Sequence, residues 1–122
     1  MVEVICDTSF LINLATRRIK NIDNLDVEIG TISFVVPEVV KTELLKLHLI
    51  PEKKHDIEKT LDYIKNLKTI QLSGSFADKE LLEFAKFNKS IIGTMDKELK
   101  KQIKSVGGSI LSLSNDRIIL ES

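Results

Sequence analysis

Asp7, Glu43, Asp78 and Asp96 are the residues through which this chain could do chemistry. Asp7 closes the apolar run Val2-Glu3-Val4-Ile5-Cys6, and Asp96 follows Ser90-Ile91-Ile92-Gly93 with only Thr94 and Met95 between. Both precede segments with helical apolar spacing, so each sits where a buried strand gives way to a helix. Glu43 falls inside the apolar stripe of Val39, Val40, Leu44 and Leu47, at helical spacing from its members. Asp78 lies in the first turn of a segment whose apolar face continues through Leu81, Leu82 and Ala85. A carboxylate among apolar neighbours is costly unless something pairs with it. Gathered together, with no arginine or histidine in their local motifs, these acids would repel unless cations neutralise them. Oxygen donors of this kind suit hard divalent ions, Mg²⁺ or Mn²⁺. The chemistry such a set supports is phosphoryl transfer, in which one ion activates water and a second, about 3.5–4 Å away, stabilises the leaving oxygen.

Each acid also has a plainer account. Asp7 and Asp96 can be helix caps. Asp78 can complement a helix macrodipole, and Glu43 can lay its stem over the core with its carboxylate in water. A shared site explains all of them at once, where the plainer accounts need a separate reason for each. Thr8 and Ser9 read as N-caps of the first helix. His48 and His55 have no carboxylate or second histidine at metal-binding spacing and read as surface or helix-end residues. Cys6, the one cysteine, reads as a small buried apolar residue. A single cysteine excludes an internal disulfide and a cysteine-based zinc site, which makes a reducing, cytoplasmic setting the expectation.

The elements that must position these acids alternate along the chain. Strands are expected at Val2–Cys6, Thr31–Val36, Thr69–Leu72, Ser90–Gly93 and Ser109–Leu113, with a last strand or edge at Arg117–Leu120. Helices are expected from Ser9 towards Lys20, Pro37–His48, Glu52–Asn66, Ala77–Phe87 and Lys97–Val106, the last closed by Gly107-Gly108. Asn21–Gly30 reads as loop and short helix. This alternation implies an α/β, three-layer, Rossmann-like domain, with a mainly parallel central sheet and helices on both faces. Crossovers of one hand then bring the ends of successive strands to one side, where all the acids can meet. Ligands of open α/β sheets bind at that carboxyl edge.

The 122 residues form one domain, 1–122, with 43% hydrophobic and 30% charged residues, a globular rather than disordered composition. No apolar run approaches the roughly 18 residues of a membrane span, and no basic, apolar leader opens the chain. With 18 basic and 18 acidic residues, a broad cationic surface is excluded. A local one is not: Lys97, Lys100, Lys101 and Lys104 are spaced to form one stripe. That stripe is either a solvated face or a contact for a phosphate backbone.

The pattern Asp7-Thr8-Ser9-Phe10-Leu11, Pro37 to Glu43-Leu44, Ala77-Asp78 to Leu81-Leu82 and Ala85, and Thr94-Met95-Asp96-Lys97-Glu98-Leu99 resembles a PIN domain. The resemblance runs over nearly the whole chain in the family's order. It implies a metal-dependent endoribonuclease in which Asp7, Glu43, Asp78 and Asp96 are the catalytic, metal-holding acids. Ser9 and Thr94 would be supporting hydroxyls that orient carboxylates or water. The family often carries a second acid directly after the third, where this chain has Lys79, and commonly has Asn where Met95 stands. Two settings compete within the resemblance: a stand-alone nuclease of ribosomal RNA processing, and the toxin ribonuclease of a toxin–antitoxin pair. The Thr94–Leu113 segment, with its lysine-rich helix, glycine pair and following strand, looks more like the processing type. Expected partners are an RNA substrate, a second copy of the chain in a homodimer, and either an antitoxin or a ribosome-assembly partner. Two other readings stand beside it: a PIN fold with a weak metal site that only binds RNA or protein, and a phospho-accepting receiver with Asp7 as acceptor. The receiver should carry an acidic pair before its acceptor strand and a late lysine after a strand, and neither arrangement is present.

Overall fold

The computed structural model describes residues 2–19, 32–71, 81–83 and 91–121. Strand β1 (Val2–Cys6) leads into helix α1 (Thr8–Thr16). Strand β2 (Ile32–Pro37) leads into α2 (Glu38–Leu47). A 3-10 turn at Pro51–Lys53 opens α3 (Lys54–Ile64), followed by β3 (Lys68–Ile70). Residues 81–83 are helical. Then come β4 (Ile91–Gly93), α4 (Lys97–Ser105), β5 (Ser109–Ser114) and β6 (Arg117–Glu121).

The strands form one sheet in the order β3-β2-β1-β4-β5-β6. All neighbours run parallel except β5 and β6. β6 folds back through Asn115 and Asp116, at φ 52 and 60°. Asn and Asp are the non-glycine residues that best tolerate this left-handed region, which a two-residue hairpin turn requires. Strand order reverses at β1, whose two neighbours are the strand that follows it and the strand that comes fourth. A crevice opens at the carboxyl ends of such a pair.

Side chains alternate across the sheet, so its two faces build separate cores. Val4, Cys6, Val36, Leu111, Leu113 and Ile118 pack with Phe10, Leu11 and Leu14 of α1, Val40 and Leu44 of α2, and Ile57 and Ile64 of α3. On the other face Ile5, Val35, Ile92 and Ile110 pack with Leu81 and with Leu99 and Ile103 of α4. Burying each large apolar side chain fully is worth about 1.5–3 kcal/mol, which is what clamps the helices over the strand ends. The result is the expected three-layer α/β arrangement. Among the described residues no helix is long and apolar enough to cross a membrane.

Several boundaries differ from those read in the sequence. Pro37 is the last residue of β2 and the N-cap of α2 instead of its first turn. Asp7 itself, not Thr8 or Ser9, caps α1, because its carboxylate reaches the Phe10 N–H and Thr8 is already helical. α4 ends as the glycine pair requires: Gly107 takes φ +83°, its N–H donates to Lys104 O, and Gly108 N–H reaches back to Ile103 O at 3.0 Å. The expected loop at 21–30 and most of the helix expected at 77–87, Asp78 and Lys79 included, lie outside the described residues.

Candidate active site

β1 and β4 end at the same level, with Cys6 opposite Gly93. The next residue of each strand stays hydrogen-bonded to the adjacent strand. Asp7 N–H donates to Gly93 O at 2.9 Å, and Thr94 N–H donates to Leu111 O at 3.0 Å. The ladder thus continues one residue past each strand, and the two turns are tied to the sheet before either helix begins.

Asp7 is 4% exposed. Its Oδ1 accepts from the Phe10 N–H at 2.8 Å and from Ser9 Oγ at 3.0 Å. Its Oδ2 accepts from the hydroxyl of Thr94, a residue with no exposed surface. Each hydroxyl that donates to Asp7 also accepts a backbone N–H of the β4–α4 turn, Ser9 from across the strands and Thr94 from within its own turn. Ser9 Oγ takes Met95 N–H at 3.4 Å, and Thr94 Oγ1 takes Asp96 N–H at 3.1 Å. The carboxylate is therefore bracketed from both sides, its plane set among the described residues by three donors. Asp96 caps α4, its Oδ1 accepting from Glu98 N–H at 2.9 Å and Leu99 N–H at 3.0 Å. Unlike Asp7 it is exposed.

Cys6 is fully buried beside this bracket. Burial first, and the neighbouring Asp7 carboxylate second, push its thiol well up from the ordinary value, against a smaller lowering by the Val35 backbone. It stays a thiol, donates to Val4 O at 3.5 Å, and acts as core filler, not as a nucleophile.

The structure brings together Asp7, Ser9, Thr94 and Asp96 at the switch point. Glu43 differs from its reading as a buried-face glutamate, because it is exposed. The centre of the buried stripe of α2 is Val40 and Leu44. Val39, Glu43 and Leu47 form the row beside it, where the flanking aliphatics are only half-buried. Asp78 lies outside the described residues. Among the described residues no group of three or more His, Cys, Asp or Glu side chains is close enough to hold a metal ion. What they supply is oxygen only, one buried and pre-oriented carboxylate with a second at the rim, and that donor chemistry fits a hard divalent cation. The hydroxyl of Thr8, next to Asp7, is buried with no hydrogen-bond partner among the described residues.

The lysines of α4 divide. Lys97 and Lys101 are exposed. Lys104 Nζ donates to Glu121 Oε1 at 2.9 Å, and Lys100 Nζ stands 3.6 Å from Oε2. Glu121 escaped the sequence reading, as did Gly93. Glu121 carries no local signal. Gly93 does, since an isolated glycine closing a β-branched run marks a close approach. Here the approach is by Phe10, whose Cδ2 would lie 2.6 Å from a Cβ at that position.

A three-layer α/β domain with an acidic site at its switch point defines a broad class of phosphoryl-transfer and nucleotide-handling proteins. Comparison narrows it. The family profile described as PIN like domain matches residues 4–116. Ribonuclease VapC4 of Methanocaldococcus jannaschii is 30% identical over 109 residues, covering 84% of this chain and 83% of that protein. The solved structure of the PIN domain endonuclease Utp24 superposes with TM-score 0.74 at 25% identity, over 95% of this chain and 90% of that one. A domain of a functionally unknown Methanocaldococcus jannaschii protein shares the fold, with TM-score 0.57 at 17% identity over 93% and 92% of the two chains. The chain belongs to the PIN-like domain family.

Proposed function

We propose that the protein is a metal-dependent endoribonuclease that hydrolyses RNA phosphodiester bonds, with Asp7, Glu43, Asp78 and Asp96 as its catalytic acids. The observation that carries this reading is the bracketed Asp7, immobilised by Ser9, Phe10 and Thr94 at the switch point with Asp96 beside it. Placing a carboxylate among apolar side chains and then fixing its plane with three donors is more than a helix cap needs. A Mg²⁺ or Mn²⁺ ion bound there would supply Lewis acidity and lower the pKa of a water. The chain's own contribution is positional. Asp7 holds its oxygens in one plane, Thr94 couples that plane to the start of α4, and Asp96 offers a carboxylate at the solvent side. Glu43 on α2 and Asp78 would complete the acidic set from the neighbouring elements.

The reading is tested with purified protein and labelled RNA in Mg²⁺ or Mn²⁺. Asp7→Asn and Asp96→Asn should each lower the cleavage rate by at least about 100-fold, the scale on which removing one electrostatic catalytic group is felt. Millimolar Mn²⁺ should raise the melting temperature of the unsubstituted protein and not that of Asp7→Asn. Cleavage that survives both substitutions would come from a contaminant. No stabilisation by Mn²⁺ would leave the alternative, a PIN fold that binds RNA or protein without cutting, with Lys79 as its sequence correlate.

Two settings are supported by different observations. The Thr94–Leu113 arrangement supports a cytoplasmic role in ribosomal RNA processing, alongside a ribosome-assembly partner. The 30% identical relative named Ribonuclease VapC4 supports the toxin ribonuclease of a toxin–antitoxin pair, which an adjoining gene for a small DNA-binding antitoxin would establish. In either setting a domain with balanced charge and one short basic face gains a longer RNA groove as a homodimer.

A further inference from the structure

Net charge is zero, so any grip on a polyanion must come from local cations, and α4 carries the densest set beside the candidate site. Its lysines are not equivalent. At about 100° per residue, Lys100 lies only about 60° around the helix from the buried Ile103, whereas Lys101 lies about 160° from the buried Leu99. Lys100 and Lys104 therefore lean down the flank towards β6, while Lys97 and Lys101 ride on the outer side. The flank is already occupied. Glu121 of β6 accepts from Lys104 Nζ at 2.9 Å and from Ser112 Oγ at 2.8 Å, with Lys100 Nζ at 3.6 Å. Ser112 is 3% exposed, and the side chains of Lys100 and Glu121 keep only 21% and 31% of their surface, while Lys104, at 42%, is paired but open to solvent. The hydrogen bond from Lys104 is the largest influence holding the Glu121 carboxyl below its usual range, followed by that from Ser112. Lys97 and Lys101 are exposed and make no ion pair among the described residues. Lys97 directly follows Asp96, and Lys101 is one turn further, about 6 Å along the axis. Together they form a short cationic track that starts at the rim of the site.

We propose that α4 meets the phosphates of single-stranded RNA through Lys97 and Lys101, and that Glu121 withholds Lys100 and Lys104 from that contact by tying them to the edge of the sheet. The proposal rests on the nuclease reading for the choice of RNA as the polyanion. Its consequence is a nucleic-acid grip kept weak by design of charge: two of the four lysines share one internal carboxylate, which favours release after cutting.

The test is the salt dependence of binding of a fluorescein-labelled oligouridine to the full chain in EDTA, where no cleavage occurs. Each phosphate neutralised on a single strand contributes about 0.7 to the slope of log K against log salt. Lys97→Ala/Lys101→Ala should flatten the slope by about 1.4. Lys100→Ala/Lys104→Ala should change it by less than about 0.3, well inside one phosphate's worth. Glu121→Gln should steepen it by about 0.7–1.4 and tighten binding at low salt, because it releases the two tied lysines. Thermal melts accompany every variant. If the double Lys100/Lys104 variant does not fold, Lys100→Ala and Lys104→Ala singly make the same comparison. Equal flattening by the two pairs, or no steepening by Glu121→Gln, overturns the proposal. So does the absence of any RNA binding by the unsubstituted protein, or displacement of the RNA by polyglutamate with the same variant dependence, which would mark an acidic protein as the partner. None of these outcomes bears on the Asp7→Asn cleavage assay, so failure here and failure of the nuclease reading are told apart.

Discussion

A Cβ on residue 93 would stand 2.6 Å from Phe10 Cδ2 and 2.8 Å from Cε2, closer than carbon atoms approach. Phe10 has no exposed surface and packs against Phe34, centroid to centroid 6.1 Å, so its ring has nowhere to retreat. Its backbone N–H is also one of the donors on Asp7 Oδ1, and Gly93 O receives the Asp7 N–H. Gly93→Ala should therefore destabilise the fold by about 1–3 kcal/mol, the usual cost of overpacking, and also weaken Mn²⁺ stabilisation by tilting the first turn of α1 away from Asp7. Phe10→Leu in the same chain should recover part of both losses, a coupling that a double-mutant cycle by denaturant melts would measure. Purely additive losses would mean that Phe10 is not what the glycine accommodates. Asp7 and Asp96 were legible in the sequence because an acid ending an apolar run is conspicuous. The supporting roles of the Ser9 and Thr94 hydroxyls entered only through family resemblance: Ser9 stands two positions from Asp7 and read as a plain helix cap, and Thr94 meets Asp7 from the end of a neighbouring strand, which no local spacing reveals. Glu43 was misread as buried because a stripe drawn from residue types cannot separate its centre, Val40 and Leu44, from its margin.

The helix α4 illustrates how one element answers to both ends. Asp96 caps its start, the glycine pair closes its end, and Leu99 and Ile103 bind it to the sheet. The Glu121 cluster then holds its flank to β6. Because the Glu121 carboxyl sits below its usual range in the fold, through Lys104 first and Ser112 next, the cluster's stabilisation is fully present above the unfolded carboxyl value near 4.3 and is lost as pH falls through the lower folded value. The melting temperature of the unsubstituted protein should exceed that of Glu121→Gln by a constant margin at pH 6–7, and the margin should narrow as pH falls from the unfolded carboxyl value towards the lower folded one. A margin that does not narrow at all on acidification would show that the carboxylate's charge contributes nothing. Helices and strands were legible here from caps, prolines and glycines. Their limits moved by a residue or two where a side chain such as that of Asp7 took over a cap, α1 stops at Thr16, short of the expected Lys20, and the tie between α4 and β6 was invisible because it joins residues with no shared local pattern.

Taken whole, the molecule is a sheet whose parallel part was foreseeable from strand–helix alternation and whose antiparallel edge came from a two-residue turn. Its balanced charge and single short basic track argue that one copy offers a polyanion little length to lie along. Static light scattering at micromolar concentration should return twice the 13.8 kDa of one chain; a value of 13.8 kDa would remove the homodimer from the account.

The bracket around Asp7 also has a place in time. Its hydrogen bond from Thr94 spans 87 positions of the chain, with α1 to α3 and β2 to β4 made in between. At about 5–20 residues per second, a ribosome needs roughly 4–17 s to travel that distance. Until β4 has emerged and slid in beside β1, Asp7 is an aspartate on a strand edge without the hydroxyl that orients it. The bracket is absent for most of the chain's own synthesis, and Asp7 gains its second hydroxyl donor only once Thr94 has been made.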